Sequence, residues 1–357
     1  MTRLPVAVLG ATGAVGQTFV RLLADHPWFT LTEVAASERS AGRRYADATT
    51  WIEGSMPAGV ADLVVTTCDP KVVRATVVFS ALDAAAAVDV EPSFAAAGRF
   101  VLSNTKTFRM AADVPLVIPE VNASHLALLD AQRARGWTGG VVTNANCAAT
   151  VAALALAPLH ERYEVTELVI TTLQAISGAG YPGVASLDIL GNVIPFIGEE
   201  EEKIARELRK MLGTVSGGVA VDAKFTVSAH ATRVAVEHGH FVTCSVRFRR
   251  KPSVAEAIAT LREWRGAAAV RGLPSAPPRA LVVTDAADRP QPRRDVMAGN
   301  GMTVTVGRVR EDESHDLRFV ALGHNIIRGA AGGSILNAEL LAASGRLGWT
   351  PPGTGAR

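Results

Sequence analysis

Cysteine, lysine and aromatic side chains are all scarce in this chain of 357 residues. The three cysteines, Cys68, Cys147 and Cys244, cannot pair completely and are too few for a disulfide scaffold, so they point to a reducing compartment. Only six of the 36 basic residues are Lys, an arginine bias that, with the abundant Ala, is compositional background. A dominant charge is missing too. The 36 Lys and Arg stand against 34 Asp and Glu, a formal net charge of +2. That balance supplies no broad field for nucleic acid or an anionic membrane. No long hydrophobic run occurs either. The N-terminal Leu4-Pro5-Val6-Ala7-Val8-Leu9-Gly10 is too short for a signal-peptide core, and residues 148–159 fall well short of the ~20 that span a bilayer. A soluble, cytoplasmic protein is expected. The 48% of hydrophobic residues, set against few charges, exclude a disordered chain.

The length suits about two domains of ~150 residues, each able to bury a core. Up to about residue 145, short apolar runs alternate with helical stretches. Residues 6–9, 31–36, 63–67, 77–82, 100–103 and 140–143 are strand candidates, with helices at 15–25, 88–97 and 123–135. The alternation predicts βαβ units around a mostly parallel sheet. The pattern then changes. Residues 148–160 are apolar all round, as in a buried helix. Residues 166–173, 241–248 and 302–309 read as strands, and Ser253-Val254-Ala255-Glu256 has capping-box spacing for a helix ending before Gly266. Residues 272–278 form a Gly/Pro-rich connector. A final helix is expected from Asn325 to about Ala343, and the tail 350–357 is expected to fray. These features suggest an α+β second domain.

Gly10-Ala11-Thr12-Gly13-Ala14-Val15-Gly16 lies between a strand and a helix. There, small residues let backbone N–H groups approach a pyrophosphate at the helix N-terminus. The spacing is G-x-x-G-x-x-G, and a bare tight turn is the alternative. About twenty residues on, Ser37-Glu38-Arg39-Ser40-Ala41-Gly42-Arg43 offers hydroxyls and a guanidinium that suit a 2′-phosphate and favour NADP. Glu38 is the residue an NAD reading would use.

Thr143-Asn144-Ala145-Asn146-Cys147-Ala148-Ala149-Thr150 sets one cysteine between a strand and the buried helix. A thiol at a helix N-terminus is expected to gain thiolate character, and the same amides suit an oxyanion. Cys68 and Cys244 read as core residues. His238-Gly239-His240 implies a turn with one imidazole available to a distant thiol as proton shuttle. Ligands for a metal are lacking at suitable spacing, and none is expected. Glu199-Glu200-Glu201-Glu202-Lys203 starts a helix, its acids favoured by the macrodipole. Spacing alone does not choose which of them faces a cleft.

Together these residues make the chain resemble the aspartate-β-semialdehyde dehydrogenase family, in its archaeal and fungal-like branch. The resemblance runs through residues 10–17, AASERSAGRRY (35–45), VPLVIPEVN (114–122), 144–150, QAISGAGYPG (174–183), NVIPFIGEEEEK (192–203), 233–240, DRPQPRRDVMAGNGMTVTVGR (288–308) and HNIIRGAAGGSILNAE (324–339). It implies an α/β fold with a Rossmann-type NADP-binding domain over 1–146, to which 324–357 return. A second, α+β domain for catalysis and dimerisation is implied over 147–323. It also implies a reversible, NADPH-dependent reductive dephosphorylation of L-aspartyl 4-phosphate to L-aspartate 4-semialdehyde, serving lysine, threonine and methionine synthesis in a homodimer or homotetramer. In that reading Cys147 is the nucleophile, His240 the acid/base and Gln174 orients the acyl-enzyme. Arg233 and Glu200 hold the carboxylate and amine, while Asn146, Arg109 and Lys203 bind phosphate. Gly10, Thr12, Gly13, Ala14, Val15, Ser37, Arg39, Ser40, Gly178 and Asn325 line the cofactor. The departures from the family pattern are Ala148-Ala149 after the cysteine and Lys106-Thr107-Phe108 before Arg109. The alternatives are a paralogue reducing a related acyl donor, such as malonyl-CoA or an N-acylglutamyl phosphate, and a non-catalytic NADP-binding regulator.

Overall fold

The computed structural model describes residues 3–352. In the first half, seven strands form an all-parallel sheet. They are β1 (Leu4–Leu9), β2 (Phe29–Ala36), β3 (Val65–Thr67), β4 (Val77–Ser80), β5 (Phe100–Ser103), β6 (Leu116–Val117) and β7 (Gly140–Asn144). Their order is β3-β2-β1-β4-β5-β7-β6. Val6, Ala7, Val8 and Leu9 of β1 are wholly buried, as a strand covered on both faces requires. Helices α1 (Ala14–Leu23) and α2 (Ala84–Ala96) belong to this half. The strand order reverses between β1 and β4, so a crevice opens at their carboxyl ends.

The second half is built on a mixed sheet. Its strands are β8 (Val165–Gln174), β11 (Thr226–Arg233), β12 (His240–Phe248), β13 (Leu281–Thr284), β14 (Val304–Glu311) and β15 (Leu317–Gly323), with a small hairpin of β9 (Thr214–Ser216) and β10 (Val219–Val221) alongside. The order is β11-β8-β12-β15-β14-β13, parallel at its two outer pairs and antiparallel between. Helices α3 (Cys147–Tyr163), α4 (Glu200–Met211) and α5 (Val254–Glu263) share its core. Helix α3 is buried on every side from Ala148 to Leu159, which accounts for its lack of a polar face. Ser253 and Glu256 form the expected capping box.

Several expectations needed correction. The stretch 123–135 is a 3₁₀ turn, one α-turn and a second 3₁₀ turn rather than one helix. Strands β11, β13 and β15 escaped the sequence reading, as did the short β6, β9 and β10. The last helix is reached through a π-helical turn, Ile327–Ala331, and α6 proper is Gly332–Ala343. Its Ile335, Leu336, Leu340 and Leu341 pack into the first sheet's core with Val6, Val8 and Phe79. Of the tail expected to fray, 353–357 lie outside the described residues.

One buried ion pair fastens this return. Arg328, 1% exposed, donates from both terminal nitrogens to the Glu120 carboxylate, Nη1 to Oε1 at 2.8 Å. Removing one partner of such a pair leaves an unanswered charge in the core. Glu120→Ala is therefore expected to destabilise the protein by about 3–5 kcal/mol, measured by urea unfolding. A loss below about 1 kcal/mol would contradict this account.

Candidate active site

Strand register brings the polar groups together. Arg233 ends β11 opposite Gln174, which ends β8, because those strands are parallel. Strand β12 runs the other way and starts at His240, opposite Gly323 of β15. Gln174, Arg233 and His240 thus lie at one end of the sheet, each less than a tenth exposed. The turn Ala145-Asn146 between β7 and α3 delivers Cys147 to the same place.

Asn146 caps α3, its Oδ1 accepting from the Ala149 N–H at 2.9 Å. Its Nδ2 donates to Glu200 Oε1 at 2.8 Å, and its backbone N–H donates to Glu207 Oε2 at 2.6 Å. Gln174 Nε2 reaches the same Glu200 oxygen at 3.0 Å. Cys147 Sγ is 3.0 Å from His240 Nε2. The other ring nitrogen, Nδ1, accepts from the Ala175 N–H at 3.1 Å, so in the neutral ring the proton sits on Nε2 and points at sulfur. Arg233 Nη1 donates to the Ala175 carbonyl at 2.8 Å. A Cβ on Gly178 would lie 2.9 Å from Arg233 Nη1 and 3.0 Å from His240 Cε1. Only glycine lets that loop approach both.

The expectation of a ready thiolate is overturned. Burial pushes the Cys147 thiol up from its ordinary range, and the Glu200 charge adds to this. Arg109, the Ala148 amide and Arg233 pull the other way with less effect. Cys147 as a residue is partly buried, and the protein packed around its thiol supplies the dominant desolvation. Burial pushes His240 down to about 3, helped by Arg233 and His324. Low dielectric penalises both ions, and the resting pair is a neutral thiol beside a neutral imidazole.

At the crevice of the parallel sheet, Gly10 has φ +75° and a Cβ there would sit 2.5 Å from the Ala81 carbonyl oxygen. A Cβ on Gly16 would meet the Gly10 carbonyl at 2.2 Å, so these two glycines are forced by packing. Gly13 is the N-cap of α1 and offers no side-chain cap, leaving Ala14 and Val15 to present the first turn's backbone just after Thr12. The first turn of α1 therefore suits a pyrophosphate. Ser37 and Arg39 are exposed and Ser40 is half-buried in the turn after β2, where Ser40 N–H bonds the Ser37 carbonyl at 2.9 Å. These residues fit a dinucleotide carrying a 2′-phosphate. Asn325 is different: its Oδ1 accepts from the Gly239 N–H at 2.8 Å and its Nδ2 donates to Ser177 Oγ at 2.9 Å. Both ends of its amide are engaged within the protein.

A cavity of about 570 Å³ is lined by Lys106, Arg109, Lys203 and Arg206 together with Glu199, Glu202 and Glu207. Lys203 Nζ stands 3.5 Å from Glu199 Oε2 and 4.0 Å from Glu200 Oε2, and Lys106 also pairs with Glu199. The Lys106 departure thus meets an acid across the cavity. Ala148 and Ala149, fully buried, fit the packed start of α3. Helix α4 carries Glu200, Lys203, Glu207 and Lys210 on one face, three or four residues apart. Sequence reasoning missed Glu207, Lys210 and also Gly329, whose Cβ would fall 2.6 Å from that of Cys147. The helical spacing of the four charges was the available signal. His238, half exposed, bonds Ser177 Oγ at 3.0 Å and stacks on His324 rather than reaching Cys147. Among the described residues no group of three or more His, Cys, Asp or Glu is placed to hold a metal, and no helix is long and apolar enough to cross a membrane.

A dinucleotide crevice in one half and a close cysteine–histidine pair in the other fit a two-part dehydrogenase. Two family models match the chain: the semialdehyde dehydrogenase NAD-binding domain over residues 5–129, and the semialdehyde dehydrogenase dimerisation domain over 156–328. The chain belongs to this family. It is 49% identical to an aspartate-semialdehyde dehydrogenase of Archaeoglobus fulgidus, over 95% of this chain and 98% of that one. With the enzyme of that name from Cryptococcus neoformans it shares 46%, over 97% and 98%. The crystal structure of the Candida albicans aspartate semialdehyde dehydrogenase with NADP superposes with a TM-score of 0.88 at 42% identity, covering 96% of this chain and 99% of that one.

The raised thiol has a measurable consequence. Alkylation of Cys147 by iodoacetamide in the free enzyme should be slow at neutral pH and still rising above pH 9, because the folded-state value lies above the ordinary 9.0. A rate already level by pH 7 would refute the neutral resting pair.

Proposed function

We propose that this protein catalyses the reversible, NADPH-dependent reductive dephosphorylation of L-aspartyl 4-phosphate to L-aspartate 4-semialdehyde. The observation that carries the reading is the 3.0 Å approach of Cys147 Sγ to His240 Nε2, flanked by Arg233 and Glu200 and by the Arg109 and Lys203 side chains in a cavity of mixed charge. Cys147 attacks the acyl carbon, its S–H proton passes to the departing phosphate, which leaves as hydrogen phosphate, and a thioester remains. NADPH supplies the hydride that reduces it when bound. His240 holds its Nε2 proton between sulfur and the former carbonyl oxygen, stabilising the oxyanion as the hemithioacetal forms and collapses. Gln174, tied to Glu200, orients the acyl group. Arg233 holds the substrate carboxylate with its planar fork, and Glu200 holds the amine. Lys203 and Arg109 receive the phosphate, and Asn146 acts mainly by fixing the turn before Cys147. Gly10, Thr12, Gly13, Ala14, Val15, Ser37, Arg39, Ser40 and Gly178 line the cofactor. Asn325 shapes that wall through Ser177 and Gly239.

The division of the chain at residue 146, with 324–357 returning to the nucleotide-binding half, is supported by the packing of α6 on the first sheet. Assembly as a homodimer or homotetramer through the second half is supported by the dimerisation-domain match. The cytoplasm is the expected compartment, where three unpaired cysteines stay reduced. The partners are small molecules, not nucleic acid or membrane. The named relatives do not favour the malonyl-CoA or N-acylglutamyl phosphate reading.

The test is a panel of semialdehydes with NADP+ and phosphate, run on wild type and Cys147→Ser. Aspartate semialdehyde should be the preferred substrate, and the serine variant should lose turnover while keeping NADPH binding. Serine is too poor an acid to replace the thiol, so retention of a tenth of the rate, about 1.4 kcal/mol in barrier, would sink the nucleophile assignment. For the cofactor, Arg39→Ala should erode the preference for NADPH over NADH, mainly through KM, by about 1.5–3 kcal/mol. Equal use of both cofactors by wild type would refute the 2′-phosphate role of Ser37, Arg39 and Ser40.

A further inference from the structure

The chemistry above gives Glu207 no task, yet it is one of the most buried acids in the molecule, 2% exposed, and lies one heptad beyond Glu200 on α4. Its Oε1 accepts from Arg109 Nη1 at 3.0 Å, and its Oε2 accepts from the Asn146 backbone N–H at 2.6 Å. One carboxylate therefore joins an arginine that lines the charged cavity to the residue directly before the nucleophile. The two donors come from different segments: Arg109 from the loop after β5, and Asn146 from the turn after β7. Arg109 Nη2 is held by the Asn104 carbonyl at 2.9 Å, while its Nε is buried without a partner.

A second residue of α4 fixes the same loop. Lys210 Nζ, almost fully buried, donates to the carbonyls of Arg109 at 2.6 Å, Ala111 at 2.7 Å and Val114 at 2.7 Å. Backbone and guanidinium of Arg109 are thus both anchored on one helix face, and that face also anchors the turn carrying Cys147. Packing alone does not call for a carboxylate here. A buried negative charge is costly unless it is answered, and it is answered by one cation and one main-chain donor, one on each oxygen.

We propose that Glu207 is a positioning residue of the reaction: it sets the distance and angle between the phosphate-binding Arg109 and the Cys147 nucleophile. This rests on the acyl-phosphate reading above. Reacting groups misplaced by about 1 Å lose on the order of a hundredfold in rate, so the effect should appear in phosphate use before it appears in cofactor binding. Glutamine keeps the shape but has a single oxygen acceptor, so its amide must face one of the two donors. Aspartate keeps the charge but shortens the reach.

The test measures the oxidative reaction with NADP+, aspartate semialdehyde and varied inorganic phosphate for wild type, Glu207→Gln and Glu207→Asp. Active sites are counted by the stoichiometry of Cys147 alkylation, and NADP+ affinity is measured separately. The glutamine variant should raise the KM for phosphate about tenfold or more and lower kcat per titrated site, as expected when a hydrogen bond to a charged group is lost. Its NADP+ affinity should stay within about twofold of wild type. The aspartate variant should fall between the two and, should the glutamine variant not fold, carries the test with at least a threefold rise in phosphate KM. Unchanged phosphate KM with a loss explained wholly by fewer titratable sites would overturn the proposal and leave the reaction intact. A wild type with no phosphate-dependent turnover would instead overturn the reading on which it rests, and the proposal with it.

Discussion

Two carboxylates buried on one face of α4 set the terms for everything around Cys147. Glu200 and Glu207 have been taken out of water, and each needs donors or positive charge at close range. Asn146 answers both, with its side chain for one and its main chain for the other. Gln174 and Arg109 complete the compensation. A helix from the second half thereby dictates where a turn and a loop of the first half come to rest. The cysteine follows the turn.

The same burial explains the protonation states. A crowded, low-dielectric site holds the thiol neutral although Arg109 and Arg233 lie near it, and holds the imidazole neutral with Arg233 adding to the effect. The Arg109 charge that would favour a thiolate is partly spent on Glu207, and the charge of Glu200 opposes it. Reactivity must therefore be generated as the reacting groups come together, with Nε2–H of His240 already aimed at sulfur by the Ala175 amide. Orientation, rather than a standing ion pair, is what the free site supplies.

The return of the chain closes the arrangement. Residues 324–331 pass against Cys147 closely enough that Gly329 admits no side chain, and Arg328 in the same turn is locked to Glu120. A π-helical turn is the backbone's way of fitting both demands before α6 packs on the parallel sheet. The nucleotide-binding crevice, the cysteine and the histidine thus share walls drawn from distant parts of the chain.

Local pattern and chemistry were legible in the sequence. Alternation of short apolar runs with helical stretches determined the parallel sheet, Gly10 and Gly16 marked the tight crossing after β1, and an all-apolar segment determined the buried helix α3. Cys147, His240, Arg233 and Gln174 could be singled out, Cys147 by the turn around it and the others by family resemblance, since the turn at 238–240 did not choose between its two histidines. Strands β11, β13 and β15 escaped because their burial depends on neighbours far along the chain, and 123–135 bent into short turns because tertiary contacts overrode its helical pattern. The sequence could not say that Cys147 would be neutral, because a helix N-terminus is a local feature whereas desolvation is the sum of everything packed nearby. Nor could it single out Glu207 among the acids of α4. Charges three or four residues apart share a helix face by local geometry, but only the tertiary structure decides that this face is turned inward, toward Arg109 and the turn that carries the nucleophile.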